Sequence, residues 1–279
     1  MLHYIYLLIS FGTGVYLLMQ GIFQSVIAGI VFLFFFTIIG YIALFLIQLT
    51  IFILIALTIR PDYMPKKINT FYRKFGMATL KVFVDSFRIK VSSTGLEKLP
   101  DEPFLIVSNH TCFFDPLVGI ELFKKQNVAY VSKQENMKIP FVSRYMRVVG
   151  CIPIDRSSPK EALKSIHQAA DYIKDGFCSI GIYPEGWENK TDQPLLPFRD
   201  GAFRIAKKAG CPIVVSTIKG SKKIFRQFWF KNIHVKIDVL DVIPGDKVKK
   251  SKTTELSDIA YHIMYDNLID EYPNASKAS

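Results

Sequence analysis

From Met1 to Ile59 no Asp, Glu, Lys or Arg interrupts the chain, and apolar residues fill most positions with no polar face left over. A stretch that is hydrophobic all round belongs in a bilayer or a large core. A membrane span needs about 20 such residues, so this stretch holds two spans and at the margin three. Gln20, Gly21, Gln24 and Ser25 mark a break between a first segment near Tyr4–Met19 and a second beginning at Val26. The second run is too long for one perpendicular helix; a tilt, a break at Gly40 or an extension beyond the bilayer would accommodate it. A cleaved signal is disfavoured, because no basic residues precede the apolar run and the run is far longer than a signal's core.

The pattern changes after Arg60. Ile68, Phe71, Tyr72, Phe75, Val82 and Phe83 share one helical stripe, with Arg73, Lys74 and Lys81 off it. That spacing predicts an amphipathic helix over 66–84, lying in the membrane interface or packed on the domain that follows. Beyond it, short apolar runs alternate with helical patterns. Strands are predicted at Arg88–Ser92, Phe104–Ser108, Val128–Ser132, Cys151–Asp155, Cys178–Tyr183, Ile213–Ile218 and His234–Val242. Helices are predicted at Asp115–Lys125, Pro159–Lys174, Gly201–Ala209 and Thr254–Tyr272, the second announced by Ser158-Pro159-Lys160-Glu161 as a capping sequence. The alternation argues for an α/β domain with a central, mainly parallel sheet flanked by helices. The organisation is then a hydrophobic membrane anchor over 1–60, an amphipathic connecting helix within 61–86 and an α/β domain over 87–279.

Charge sharpens this. The net charge of +11 lies wholly beyond residue 59, although the mean hydropathy of the whole chain is +0.23. Arg60, Lys66, Lys67, Arg73 and Lys74 follow the anchor, and the positive-inside tendency puts the domain on the cytoplasmic side of a membrane. Its basic surface suits anionic lipid headgroups, phosphate-bearing substrates or an acidic carrier protein. No nucleic-acid motif accompanies the charge, so nucleic acid is not an expected partner. The four cysteines show no metal-binding spacing.

The candidate chemistry sits at predicted strand ends, where α/β proteins place ligands. Ser108-Asn109-His110-Thr111-Cys112-Phe113-Phe114-Asp115 puts a histidine five residues before a carboxylate. Histidine takes a proton near neutral pH, and an aspartate can fix its tautomer. The spacing alone is cheap, since chance supplies it in roughly one such chain in four. Arg156 ends Gly150-Cys151-Ile152-Pro153-Ile154-Asp155-Arg156, and Glu185-Gly186 follow Tyr183-Pro184. An arginine there can grip phosphate, and a Pro-Glu-Gly turn lets backbone approach a ligand.

Taken in order, Asn109-His110-x4-Asp115, the Gly150–Arg156 segment, Tyr183-Pro184-Glu185-Gly186 and Pro212-Ile213-Val214-Val215 resemble the motifs of the glycerolipid acyltransferase family, of which lysophosphatidate (1-acylglycerol-3-phosphate) acyltransferases are the best-known members. The likeness covers about residues 85–220. It implies transfer of a fatty acyl group from acyl-CoA or an acyl carrier protein to the hydroxyl of a membrane lysophospholipid, giving phosphatidate. It also implies catalytic roles for His110 and Asp115, phosphate binding by Lys133 and Arg156, and acceptor binding by Glu185 and Gly186. A thioester is already activated, so the implied reaction calls for no cofactor and no metal. Two departures stand out. Trp187-Glu188 replaces the Thr-Arg of many relatives, leaving Arg199 to compensate, and Ser216 stands where proline is common. Three other readings are the same chemistry on another lysolipid, a hydrolase in which Cys112 forms an acyl-enzyme with His110, and a non-catalytic lipid-binding protein that keeps the fold, against which the intact His110 and Asp115 argue.

Overall fold

The structure, a computed structural model, describes residues 2–21, 25–60, 63, 69–227 and 231–272. The charge-free segment forms two helices, α1 (Leu2–Met19) and α2 (Val26–Thr58). They run antiparallel on small residues: a Cβ at Gly40 would meet Ser10, one at Gly14 would meet Leu33, and one at Gly29 would meet Leu18. Among the described residues α2 is unbroken at Gly40, and it is long and apolar enough to cross a membrane. At 1.5 Å per residue it is about 50 Å long, against a hydrocarbon core of about 30 Å. The surplus is accounted for at its C-terminal end, where Phe52, Ala56 and Ile59 pack on Tyr145 and Val148 of the following domain.

That contact is more than apolar. Arg144 Nη1 donates to the carbonyls of Ala56, Leu57 and Ile59 at 3.1, 3.0 and 2.8 Å. Ala56 O also accepts from Ile59 N–H at 3.0 Å, whereas Leu57 and Ile59 lie where a helix end leaves carbonyls without intrahelical partners, and a cation suits the negative end of the helix dipole. The Tyr145 ring stacks on Phe52 with centroids 4.1 Å apart. The anchor helix is therefore clamped to α5 (Val142–Val148).

The amphipathic helix appears as α3 (Thr70–Ser86), with Asn69 Oδ1 accepting from Tyr72 N–H at the cap. Lys66, Lys67 and Ile68, where the sequence pattern started it, lie outside the described residues, as does the tail from Pro273. Its stripe packs on the domain: Val82 and Val84 are buried, and Phe83 stacks on Phe114. Gln48 of α2 links the three helices, accepting from Tyr6 Oη and donating weakly to Thr79.

All seven predicted strands form one sheet: β1 (Ile89–Thr94), β2 (Leu105–Val107), β3 (Ala129–Lys133), β4 (Ile152–Ile154), β5 (Ile180–Ile182), β6 (Ile213–Lys219) and β7 (Ile233–Ile243). Their order is β1-β7-β6-β2-β5-β3-β4, and every pair is parallel except β6–β7. β2 lies at the centre between β5 and β6. Its side chains alternate between two cores. Leu105 and Val107 face α6 (Pro159–Lys174), α7 (Arg204–Ala209) and α10 (Thr253–Leu268), while Ile106 faces α3 and α4 (Asp115–Leu122). Both faces are covered, which is why the strands read as continuous apolar runs. Two short helices, α8 (Ile224–Gln227) and α9 (Gly245–Lys250), complete the helical set.

Candidate active site

The chain leaves β2 at Ser108 and turns at once into α4, so His110 and Asp115 stand at the carboxyl end of the central strand. Side-chain bonds to neighbouring strands hold the exit. Asn109 Oδ1 accepts from Ile218 N–H at 2.7 Å and its Nδ2 donates to Ile218 O at 2.9 Å, mimicking one rung of a β-ladder. Ser108 Oγ meets Ser216 Oγ at 2.5 Å. The serine in place of proline thus supplies a cross-strand hydroxyl bond, and Ile213–Val215 lie fully buried in the core.

Asp115 is wholly buried. Its Oδ2 accepts from Thr111 N–H at 2.7 Å and from Cys112 N–H at 2.8 Å, closing the loop on itself. The same oxygen lies 3.0 Å from His110 Nδ1. An oxygen already taking two backbone donors serves as an acceptor for a third, so Nδ1–H donates and Nε2 is left as the basic nitrogen. The imidazole stacks on Tyr183, centroids 4.2 Å apart and planes 12° from parallel. Burial raises the Tyr183 phenol well above its ordinary range, so the ring acts as a neutral platform.

Glu185, for which the family resemblance implies acceptor binding, has its carboxyl engaged by backbone donors. It is 2 % exposed, and its Oε1 and Oε2 accept from the backbone N–H groups of His110 at 2.8 Å and Leu196 at 2.9 Å. The carboxyl therefore sits beneath the His110–Asp115 loop and ties it to the 189–199 segment. Burial outweighs these bonds and raises its pKa to about 7. Asn189 adds a second tie, its N–H donating to His110 O at 2.6 Å.

Gly186 has φ +78°, a conformation costly for any residue with a Cβ. A Cβ there would also lie 2.9 Å from Arg199 Nε. The Gly186 carbonyl accepts from Arg156 Nη1. Arg156 and Lys133 both approach the half-exposed Trp187 ring, at 5.2 and 4.8 Å from its centroid. Burial, followed by the neighbouring Arg199 charge, lowers the pKa of Arg156. Lys133, Arg156 and Arg199 thus converge around Gly186-Trp187. Glu188, the anion in the position where many relatives carry arginine, points towards Lys190 at 3.9 Å.

The sequence patterns therefore meet at the carboxyl ends of the parallel strands. The contributions of Asn109, Tyr183, Asn189 and Trp187 were missed, because buried amides and stacking rings carry no spacing signal. Cys112 is buried and its thiol is pushed up to about 11, so it holds no thiolate near neutral pH and is a poor nucleophile.

The acyltransferase family model matches residues 90–219. The 1-acyl-sn-glycerol-3-phosphate acyltransferase BAT2 of Brassica napus chloroplasts is 36 % identical over 137 residues, 48 % of this chain and 39 % of that one. The corresponding enzyme of Borreliella burgdorferi is 30 % identical over 179 residues, 61 % of this chain and 70 % of that one. The chain spans about two fifths of the length of the plant relatives it matches. In fold it is similar to the 1-acyl-sn-glycerophosphate (LPA) acyltransferase PlsC of Thermotoga maritima, with a TM-score of 0.57 over 81 % of this chain and 92 % of that one at 20 % identity. A relative matched over more than two thirds of its length, together with family motifs gathered around one histidine, makes this chain a member of the acyltransferase family.

Proposed function

We propose that the protein is a membrane-bound O-acyltransferase that moves a fatty acyl group from an acyl thioester, acyl-CoA or acyl carrier protein, to the free hydroxyl of 1-acylglycerol-3-phosphate. The observation that carries this reading is the His110–Asp115 pair, with its basic nitrogen free and three cations close by. His110 Nε2 takes the proton of the acceptor hydroxyl as that oxygen forms a bond to the thioester carbonyl carbon. Asp115 keeps the imidazole in the tautomer that can do this and stabilises the imidazolium that results. The tetrahedral intermediate collapses by breaking its C–S bond, and the imidazolium returns the proton to the departing thiolate. Positioned proton transfer of this kind is worth about 10²–10⁴-fold in rate.

Lys133, Arg156 and Arg199 supply the charge to hold a dianionic phosphate, and the Trp187 ring fixes two of them in place beforehand. Glu188 does not cancel them, because it faces Lys190. The charge-free helices and the named membrane-lipid activity of the relatives support membrane association, and the basic residues after α2 support a cytoplasmic-facing domain. The test is acyl transfer by the purified protein from labelled acyl-CoA or acyl carrier protein to a panel of lysolipids. Phosphatidate from lysophosphatidate is the expected product, lost in His110→Ala. Free fatty acid without any lysolipid, or full turnover in His110→Ala, overturns the assignment. A phosphate-free acceptor used in preference to lysophosphatidate overturns the phosphate role of the three cations.

A further inference from the structure

His110 stands at the middle of the sheet, and the cations already described lie on one side of it, beyond β5, β3 and β4. On the other side, beyond β6, there is a cavity of about 630 Å³ lined by Thr111, Lys219, Lys222, Lys223, His234 and Lys236. Four lysines face it, against the carboxylates of Asp192 and Glu271 on its rim. It adjoins the catalytic loop directly: Thr111, the residue after His110, contributes to its wall, and Thr111 Oγ1 lies 2.8 Å from Ser221 Oγ.

The wall is built from the fold. Gly220 turns the chain at φ +85°, where a Cβ would collide with the His234 carbonyl, so the Ser221–Lys223 turn is pressed against the start of β7. The antiparallel register then sets Lys219 opposite Lys236. Lys219 Nζ donates to Asn267 O at 2.7 Å and Lys222 Nζ to Thr191 O at 2.8 Å, each leaving further N–H donors. Lys236 is the exception in being neutralised, by Asp238 at 2.9 Å. Tyr272, half-buried, closes the far wall with its ring 5.2 Å from Lys222 Nζ.

The reaction proposed above has two phosphorylated substrates. One cation cluster accounts for the acceptor, and its donor partner must approach the same histidine without displacing it. We infer that the cavity beyond β6 takes the phosphate-bearing end of the donor, a phosphopantetheine thioester, so that donor and acceptor enter from opposite sides of His110. This rests on the acyl-transfer reading. Both carriers of that group share the chemistry: coenzyme A brings a diphosphate and a 3′-phosphate, and an acyl carrier protein brings a single phosphodiester. Cavities of this size hold molecules of about nucleotide size.

The test uses the full-length protein in detergent and the double variant Lys222→Ala/Lys223→Ala, two exposed side chains whose loss leaves the core intact. Calorimetry with desulfo-CoA should show binding to the wild type that weakens about tenfold or more in the variant, since each lysine removes a charge-assisted bond to phosphate. Kinetically the donor KM should rise while the acceptor KM stays within about threefold, and Lys133→Ala should do the reverse. If desulfo-CoA fails to bind but the acyl carrier protein KM rises in the variant, the carrier protein is the source of the phosphate. Unchanged donor KM for both thioesters, or a rise confined to the acceptor KM, overturns the inference. In either of those cases continued phosphatidate synthesis would leave the proposed reaction standing, so the two failures are separable.

Discussion

Replacing Asp115 by asparagine separates the charge of the His110 partner from its geometry. Oδ2 holds three donors, the N–H groups of Thr111 and Cys112 and the Nδ1–H of His110, while Oδ1 is buried with no hydrogen-bond partner among the described residues. An asparagine carbonyl placed at Oδ2 keeps all three donors satisfied. The opposite rotamer would point an NH₂ at two backbone N–H groups and is excluded. The loop and the histidine tautomer are thus retained, the negative charge is lost, and the NH₂ takes the buried Oδ1 position, where no acceptor lies among the described residues. At about 4 Å between charge centres and an effective dielectric of about 20, that charge stabilises the imidazolium by about 4 kcal/mol. Asp115→Asn should therefore lower kcat by about 10³-fold. It should leave both KM values little changed and lower the thermal midpoint by the equivalent of about 1–3 kcal/mol for the buried NH₂, less than the loss in Asp115→Ala. Asp115→Ala removes the oxygen as well, and should lower the midpoint too. The assay is steady-state acyl transfer alongside thermal unfolding of the same preparations. A fall of less than tenfold in Asp115→Asn would refute the electrostatic role. A loss of folding stability equal to that of Asp115→Ala would refute the claim that the loop survives.

Further outcomes follow from the same geometry. Glu185 binds its proton more tightly in the folded protein than in the unfolded chain, so its contribution to stability is fully present below about pH 4.5 and declines as pH rises to about 7, by about 3 kcal/mol in all. Unfolding midpoints across that range should show the slope in the wild type, and Glu185→Gln should flatten it while costing about 1–3 kcal/mol where its NH₂ faces a backbone N–H. Trp187→Ala should raise the acceptor KM about threefold to tenfold, with the donor KM unmoved, because two cations lose a platform worth about 0.5–1 kcal/mol each; an unchanged KM would remove Trp187 from the site. Arg144→Met should lower stability in detergent by about 2 kcal/mol, seen as a reduced thermal midpoint, because the carbonyls of Leu57 and Ile59 lose the Arg144 donor while Ala56 keeps only the Ile59 N–H.

The framework was legible in the sequence for a physical reason. Strands buried on both faces must be continuous apolar runs, and each of the seven runs became a strand, shifted by a few residues at most where cap and turn residues blur the ends. The reversed direction of β1 and β7 left no mark, since an antiparallel strand at those positions is as apolar as a parallel one. α5 was missed because Val-Ser-Arg-Tyr-Met-Arg-Val is too short for a period to show. In the site, His110 and Asp115 were readable because they are near in sequence and their pairing is local. The backbone bonds of Glu185 were not readable, because nothing in Pro-Glu-Gly announces a carboxylate that takes two backbone N–H groups 75 and 11 residues away.

The Arg144 clamp has a mechanical consequence. A flexible linker after α2 would let the catalytic domain ignore whatever angle its anchor takes in the lipid. Here the end of α2 is bonded to α5, and α5 leads within a few residues through β4 to Arg156. The anchor is therefore a rigid arm on the domain rather than a tether, its end held by Arg144 and by the stack of Phe52 on Tyr145. The direction of α2 and the orientation of the sheet are thereby fixed to one another, so a change in the angle of one is a change in the angle of the other.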